Sequence, residues 1–391
     1  MTNSISEITD GYDVFFIIGS NTTEAHPIIG NKMKQAIKNG TKAIVIDPRK
    51  TELAKMAEYW LPLNSGTEAA LVNGLMHIII KNNWHKKDYI KERCAGFDAI
   101  EEIVKNYTPE KVSAFTGLSE DMLYKVAKLY ATTEKAGIYY TLGITEHTTG
   151  TANVMNLANL AMITGHLGIK NGGINPLRGQ NNVQGSCDMS ALPNYYPGYQ
   201  DINNEDKRKL FESKWGVALN PNKGLKIPDM LDKAITGEFK AMYVMGEDPV
   251  LTDPDANHVK KALKSLDLLI VQNLFMSEAA KEEDVILPSN CYAEKDGTFT
   301  NTERRVQRVR KAVDYPKGCK NEWDILVDIA KQLDVKGFDY EKSEDIIFNE
   351  IKETTSQYAG ITYERINQDG IQWPCPSEDH PGTPILHIGQ C

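Results

Sequence analysis

Apolar positions in this chain come in short runs, each closed by turn-forming residues. After Asp13, the five apolar residues Val14-Phe15-Phe16-Ile17-Ile18 stop at Gly19-Ser20-Asn21. A run that short, with no polar alternation, predicts a strand covered on both faces. Over 28–38 the apolar positions take helical spacing and end at Asn39-Gly40, a helix stop signal. Ala43-Ile44-Val45-Ile46 is the next predicted strand and closes at Asp47-Pro48-Arg49. Strand, helix and strand in so short a span make a βαβ unit. The apolar stretch Tyr59-Trp60-Leu61-Pro62 follows, then Asn64-Ser65-Gly66-Thr67. Spacing predicts helices over 68–81, 120–132 and 152–164, with a strand at 137–142 among them.

The opening pattern then returns. Ala241-Met242-Tyr243-Val244-Met245 leads to Gly246-Glu247-Asp248-Pro249. A helix over 254–266, a strand over 267–271 and a short apolar strand over 284–288 follow in the first order. Both halves therefore read as open α/β units, which bind ligands beyond the carboxyl ends of their strands. Gly19 and Gly246 permit close backbone approach there. Asp47 can accept hydrogen bonds from a ribose or a guanine edge, and Glu247, Asp248 and Gln272 take the matching places in the second half. Neither G-x-G-x-x-G nor G-x-x-x-x-G-K-[ST] occurs, so this is no standard dinucleotide fingerprint or P-loop.

Between the halves, 171–198 is rich in glycine, asparagine and proline. Its amide side chains and few charges predict a site-lining loop rather than a linker. Arg178 is its notable cation, set among Asn175, Gln180, Asn181, Asn182 and Gln184, with no carboxylate before Asp188. Such an arginine either lies on the surface or offers a planar fork to a small carboxylate or phosphate. In 294–310, Asp296-Gly297 ahead of Thr298-Phe299-Thr300 predicts a hairpin turn on a solvated charged strand. His26, His77, His147 and His166 have no visible partner set and read as structural.

Composition narrows the classes. With 391 residues, two or three domains are expected. A net charge of −9 argues against a basic nucleic-acid face or a polybasic anchor. No apolar run is long enough to span a bilayer, and the first residues lack signal-peptide order. A cytoplasmic protein without nucleic-acid or membrane partners is expected. Cys94, Cys187, Cys291, Cys319, Cys375 and Cys391 are scattered, with no C-x-x-C. They offer neither a disulfide framework nor a metal-ligand set.

The stretch from Leu177 to Met189, Leu-Arg-Gly-Gln-Asn-Asn-Val-Gln-Gly-Ser-Cys-Asp-Met, with Leu192-Pro193 and Tyr196-Pro197-Gly198-Tyr199, resembles the signature of formate dehydrogenase catalytic subunits. These belong to the molybdopterin oxidoreductases, the dimethyl sulfoxide reductase family. Asp47-Pro48-Arg49, Gly246-Glu247-Asp248-Pro249 and the segment from Glu294 to Arg305 match the wider family. The resemblance implies two pseudo-symmetric Rossmann-like α/β domains with mostly parallel sheets, over 1–178 and 179–290. A partial α+β segment over 291–391 would pack on an iron–sulfur domain. It implies a molybdenum or tungsten centre on two molybdopterin guanine dinucleotides. Gly19, Asn21, Asp47, Arg49, Gly66 and Gly143 would hold one of them. Gly179, Gly246, Glu247, Asp248, Thr252 and Gln272 would hold the other. Arg178 matches the arginine that orients formate, and an iron–sulfur or flavin subunit would carry electrons away.

There are departures from the pattern. Glu146 stands where relatives often have glutamine. The cysteine-rich segment for a 4Fe–4S cluster, the metal-ligating selenocysteine or cysteine, and the C-terminal domain are missing from the sequence. The expectation is a fragment of a longer enzyme; if its metal ligand is selenocysteine, an in-frame UGA upstream of Met1 would have been read as a stop. Another molybdopterin oxidoreductase, such as a nitrate reductase, and a scaffold subunit without catalysis remain as alternatives.

Overall fold

The structure is a computed structural model describing residues 1–282 and 284–390, and Cys391 lies outside the described residues. The chain forms two compact units. The first is Met1–Val183 with Asn301–Arg304 and the stretch from Thr383 onward; the second is Gln184–Thr300 with Arg305–Gly382.

The first unit is built on five parallel strands. They are β1 (Val14–Ile18), β2 (Lys42–Ile46), β3 (Tyr59–Leu61), β4 (Ala136–Tyr140) and β5 (Ile174–Pro176), in the order β3-β2-β1-β4-β5. Side chains alternate across a strand. Phe16 and Ile18 therefore enter one apolar layer with Ile44, Ile46 and Ile138, against Leu71, Leu75, Leu123, Val126 and Leu157. Those last residues come from the helices Glu68–Lys81, Glu120–Thr132 and Gly150–Ile163. Phe15 and Ile17 enter the opposite layer with Val45, Tyr139 and Met33, the last on helix Pro27–Lys38. Both faces are covered, which explains why β1 shows no polar alternation.

In the second unit β6 (Ala241–Met245), β7 (Leu268–Asn273) and β8 (Val285–Pro288) are parallel, in the order β8-β7-β6. The repeat seen in the sequence is thus a repeat of topology, since β3-β2-β1 and β8-β7-β6 share order and direction. Val244, Leu269 and Val271 pack with Val259, Ala262 and Leu263 of helix Ala256–Lys264. The same unit holds an antiparallel sheet of β9 (Gly297–Thr300), β10 (Arg305–Val309) and β11 (Ile371–Gln372).

Two local expectations are corrected. The 171–198 stretch is not irregular throughout, because it contains β5 and a helix, Val183–Asp188. The helix is anchored by Asp188, which is fully buried. Its carboxylate accepts hydrogen bonds from Tyr358 Oη (2.5 Å), Trp373 Nε1 (2.7 Å) and Gln184 Nε2 (2.7 Å). Burial raises the Asp188 carboxyl above its ordinary range, and those donors oppose the rise. The second correction concerns the hairpin. Gly297 pairs with Val309 inside the ladder, so the connection lies at Asn301–Arg304 rather than Asp296-Gly297. That connection is no solvated strand either, since Glu303 and Arg304 are buried.

Candidate functional site

The carboxyl ends of the first unit's strands open into a cleft of about 760 Å³. Its walls include Gly19, Asn21, Asp47, Arg49, Gly143, Arg178 and Gly179, so one cleft gathers seven of the residues singled out in the sequence. The floor forms because β1 and β4 are neighbours and both end in glycine-bearing turns. Gly19 has φ +56°, and a Cβ there would lie 2.6 Å from the backbone carbon of Gly143. A Cβ on Gly143 would in turn meet the Gly19 Cα at 2.7 Å. The Thr141 hydroxyl locks the crossing by donating to Gly19 O (2.7 Å).

Asp47 is buried at the end of β2. Its Oδ1 accepts the Arg49 N–H (2.8 Å), and its carbonyl accepts Trp60 Nε1–H (2.9 Å). This Asx-type turn aims the Asp47-Pro48-Arg49 corner at the cleft, with Arg49 exposed. Gly66 has φ +85°, and a Cβ there would meet nothing within 4 Å. Its N–H donates to Glu68 Oε1 (3.2 Å). Arg178 is half-buried. Burial raises the Tyr140 hydroxyl, and the Arg178 charge pulls it back, so the guanidinium acts on this wall of the cleft. Glu146 is exposed and stands outside the cleft lining.

The structure adds cleft residues that sequence reasoning did not select. Glu68 is 6 % exposed, and its Oε2 is buried without a hydrogen-bond partner. His147 Nε2 lies 3.0 Å from Gly143 O and 3.9 Å from Glu68 Oε1. His26 Nε2 lies 2.8 Å from Arg178 O, and its Nδ1 is buried without a partner. Of the four histidines read as structural, His26 and His147 line the cleft. His77 bonds the Val104 carbonyl, and His166 is buried between Thr164 and Thr133. An acid directly after Asn-Ser-Gly-Thr was the available signal for Glu68, but its burial is a tertiary fact. The cleft therefore presents two unmet acceptors, Glu68 Oε2 and His26 Nδ1, beside a glycine floor and two arginines. Those acceptors and cations fit a ligand with N–H or O–H groups and negative charge, as a pterin dinucleotide has.

In the second unit, Gly246 repeats the Gly19 turn. Its φ is +65°, and its N–H donates to Gln272 O (2.9 Å), as Gly19 N–H donates to Ile46 O (3.0 Å). This register moves one correspondence. Met245 pairs with Gln272 as Ile18 pairs with Ile46, so the counterpart of Asp47 is Asn273, not Gln272. Gln272 is buried, its Oε1 accepts the Tyr243 hydroxyl, and its Nε2 has no partner. Glu247 Oε1 accepts the Thr252 hydroxyl (2.9 Å). Asp248 accepts the N–H groups of Glu278 (2.8 Å) and Ala279 (3.0 Å). Glu247, Asp248 and Thr252 thus surround one exposed turn, with Gly246 open above it.

The sequence model of the family described as "Molybdopterin oxidoreductase" matches residues 1–332. The chain is 52 % identical over 99 % of its length to the "F420-dependent formate dehydrogenase subunit alpha" of Methanocaldococcus jannaschii, covering 57 % of that protein. It is 40 % identical over 99 % of its length to "Formate dehydrogenase H" of Escherichia coli, covering 54 % of it. The chain thus spans little more than half the length of these curated relatives. Among solved structures, the acetylene hydratase of Pelobacter acetylenicus superimposes with a TM-score of 0.71. It is 22 % identical and covers 93 % of this chain and 54 % of that one, a likeness of fold. No helix among the described residues is long and apolar enough to cross a membrane.

Proposed function

The chain belongs to the molybdopterin oxidoreductase family, whose cofactor is of the molybdopterin type with molybdenum or tungsten, and on that premise we propose that it is the cofactor-holding part of a formate dehydrogenase catalytic subunit. The observation that carries this reading is Arg178, set in a cleft whose glycine floor and unmet acceptors suit a dinucleotide. The names of the two relatives quoted above support the same substrate.

In this proposal Gly19, Asn21, Asp47, Arg49, Gly66 and Gly143 hold one guanine dinucleotide in the domain 1–178, with Glu68 and His26 supplying acceptors. Gly246, Glu247, Asp248, Thr252 and Gln272 hold the second through the domain 179–290, while Gly179 lines the first cleft beside Arg178. When bound, the cofactor supplies the two-electron redox chemistry. Arg178 pairs with the formate carboxylate bidentately and fixes its orientation as carbon dioxide forms and two electrons and a proton leave. The whole protein is proposed to carry a 4Fe–4S cluster and to pass electrons to a partner subunit. The name of the 52 % relative favours F420 as the final acceptor.

The test is metal analysis of the whole protein together with formate-dependent dye reduction. Bound molybdenum or tungsten with formate-driven reduction is expected, and a metal-loaded protein inert to formate refutes the reading. Arg178→Lys should raise the formate KM and lower kcat by about ten-fold or more, because lysine lacks the planar fork. Unchanged kinetics would remove Arg178 from the substrate site.

A further inference from the structure

The segment around Asn301–Arg304 has no role in the proposal above, yet it belongs to the first unit, buries Glu303 and Arg304, and reaches Arg178. We propose that Thr302 and His26 are positioning residues that clamp the backbone of Arg178 and so aim its guanidinium, an inference that rests on Arg178 being the substrate-binding cation.

β5 is the edge strand of its sheet. Its ladder extends to Leu177, whose N–H donates to Tyr140 O (2.9 Å). Beyond that point side chains bond the Arg178 backbone. The Arg178 N–H donates to Thr302 Oγ1 (3.1 Å), and the same hydroxyl donates to Pro176 O (2.9 Å). One hydroxyl thereby joins the peptide groups on both sides of Leu177. The Arg178 carbonyl accepts from His26 Nε2–H (2.8 Å), which fixes the histidine tautomer with the lone pair on Nδ1. The two clamps come from positions 124 and 152 residues away in sequence.

The turn that carries Thr302 is itself held. The Glu303 carboxylate accepts the Ile5 N–H (2.6 Å). Arg304, 3 % exposed, donates to Met1 O (2.9 Å) and Thr383 O (3.0 Å). Arg304 also has φ +66°, a conformation a non-glycine residue keeps only where its surroundings over-determine it. A rigid turn thus presents one hydroxyl to the residue whose orientation matters. The benefit of a bidentate fork is geometric, and small displacements forfeit it.

The test uses two pairs of variants. Thr302→Val and His26→Leu remove the clamps; Thr302→Ser and His26→Gln keep an O–H or N–H in place. Phenylglyoxal modification of Arg178, read by peptide mass spectrometry, reports anion binding as the formate concentration that half-protects the residue. That concentration should rise about five- to ten-fold in Thr302→Val and in His26→Leu, the size of one lost hydrogen bond. It should stay within about two-fold in Thr302→Ser, and in His26→Gln it should lie about five-fold or more below that of His26→Leu. In the whole enzyme the same variants should raise the formate KM more than they lower kcat. Half-protection at the wild-type concentration in both clamp-removing variants overturns the inference, as does an equal shift in the conservative pair. If Thr302→Val does not fold, the ratio of His26→Leu to His26→Gln, both of which lose the Nδ1 acceptor, decides alone, and a ratio near one overturns the inference. If nitrate but not formate protects the wild type, the formate reading falls and the clamp is scored on nitrate by the same ratios. Protection by neither anion overturns both.

Discussion

One substitution made at two equivalent places separates packing from backbone strain. Gly19 and Gly246 follow the first strand of each repeat, have φ of +56° and +65°, and donate to equivalent carbonyls. Alanine at either position bears the cost of a left-handed conformation, about 1–2 kcal/mol. At Gly246 nothing lies within 4 Å of the new Cβ, so the cost ends there. At Gly19 the Cβ would sit 2.6 Å from the Gly143 carbon and 2.9 Å from its oxygen. Both obstructing atoms are backbone, in a turn locked by Thr141, so no side chain can swing away. Forcing the turns apart adds about 1–3 kcal/mol, as overpacking does. Gly19→Ala should therefore destabilise its unit by about 2–5 kcal/mol, and Gly246→Ala its own by about 1–2 kcal/mol. Urea denaturation resolves the two units when each is followed by its own tryptophans, Trp60 and Trp84 in the first and Trp215, Trp323 and Trp373 in the second. Equal losses at the two sites would refute the close crossing of Gly19 and Gly143.

Burial pushes the His166 imidazole down from 6.5 to about 4, helped by Lys86 and opposed by the Thr133 carbonyl and Asp13. It stays neutral in the fold while the unfolded chain takes up a proton, so stability falls as pH drops from 6.5 toward 4. Between pH 7 and 4.5 the first unit should lose about 2.5 kcal/mol that a His166→Gln variant does not lose. Parallel denaturation curves of both proteins at the two pH values check this, and identical losses would refute it. Asp188→Asn places an amide NH2 among the donors Tyr358, Trp373 and Gln184, so the second unit should lose about 2–3 kcal/mol. A change below about 0.5 kcal/mol in the Trp373-reported transition would show that the carboxylate is not the anchor of helix Val183–Asp188.

What was legible in the sequence was what local chemistry decides. The run Val14–Ile18 announced a doubly covered strand because both its faces are core, and the glycine after it marked the turn that becomes the cleft floor. The helix Glu68–Lys81 and the repeat of strand, turn, helix and strand followed from the same short-range rules. Local signals failed wherever a distant segment settles the outcome. Asp296-Gly297 carries the stronger turn signature, yet the chain turns at Asn301–Arg304, where the left-handed residue is an arginine held by Met1 O and Thr383 O. The match of Gln272 with Asp47 slipped by one residue because an unbroken apolar run leaves register to the neighbouring strand. Glu68 and His26 escaped because an acid at a helix start and a lone histidine look the same exposed or buried. Their place in the cleft depends on β1, β2 and β4 ending side by side. Arg178 itself stood out early, since a lone cation among amides is a local pattern. What holds its backbone comes from residues 26 and 302, which only the folded chain brings to it.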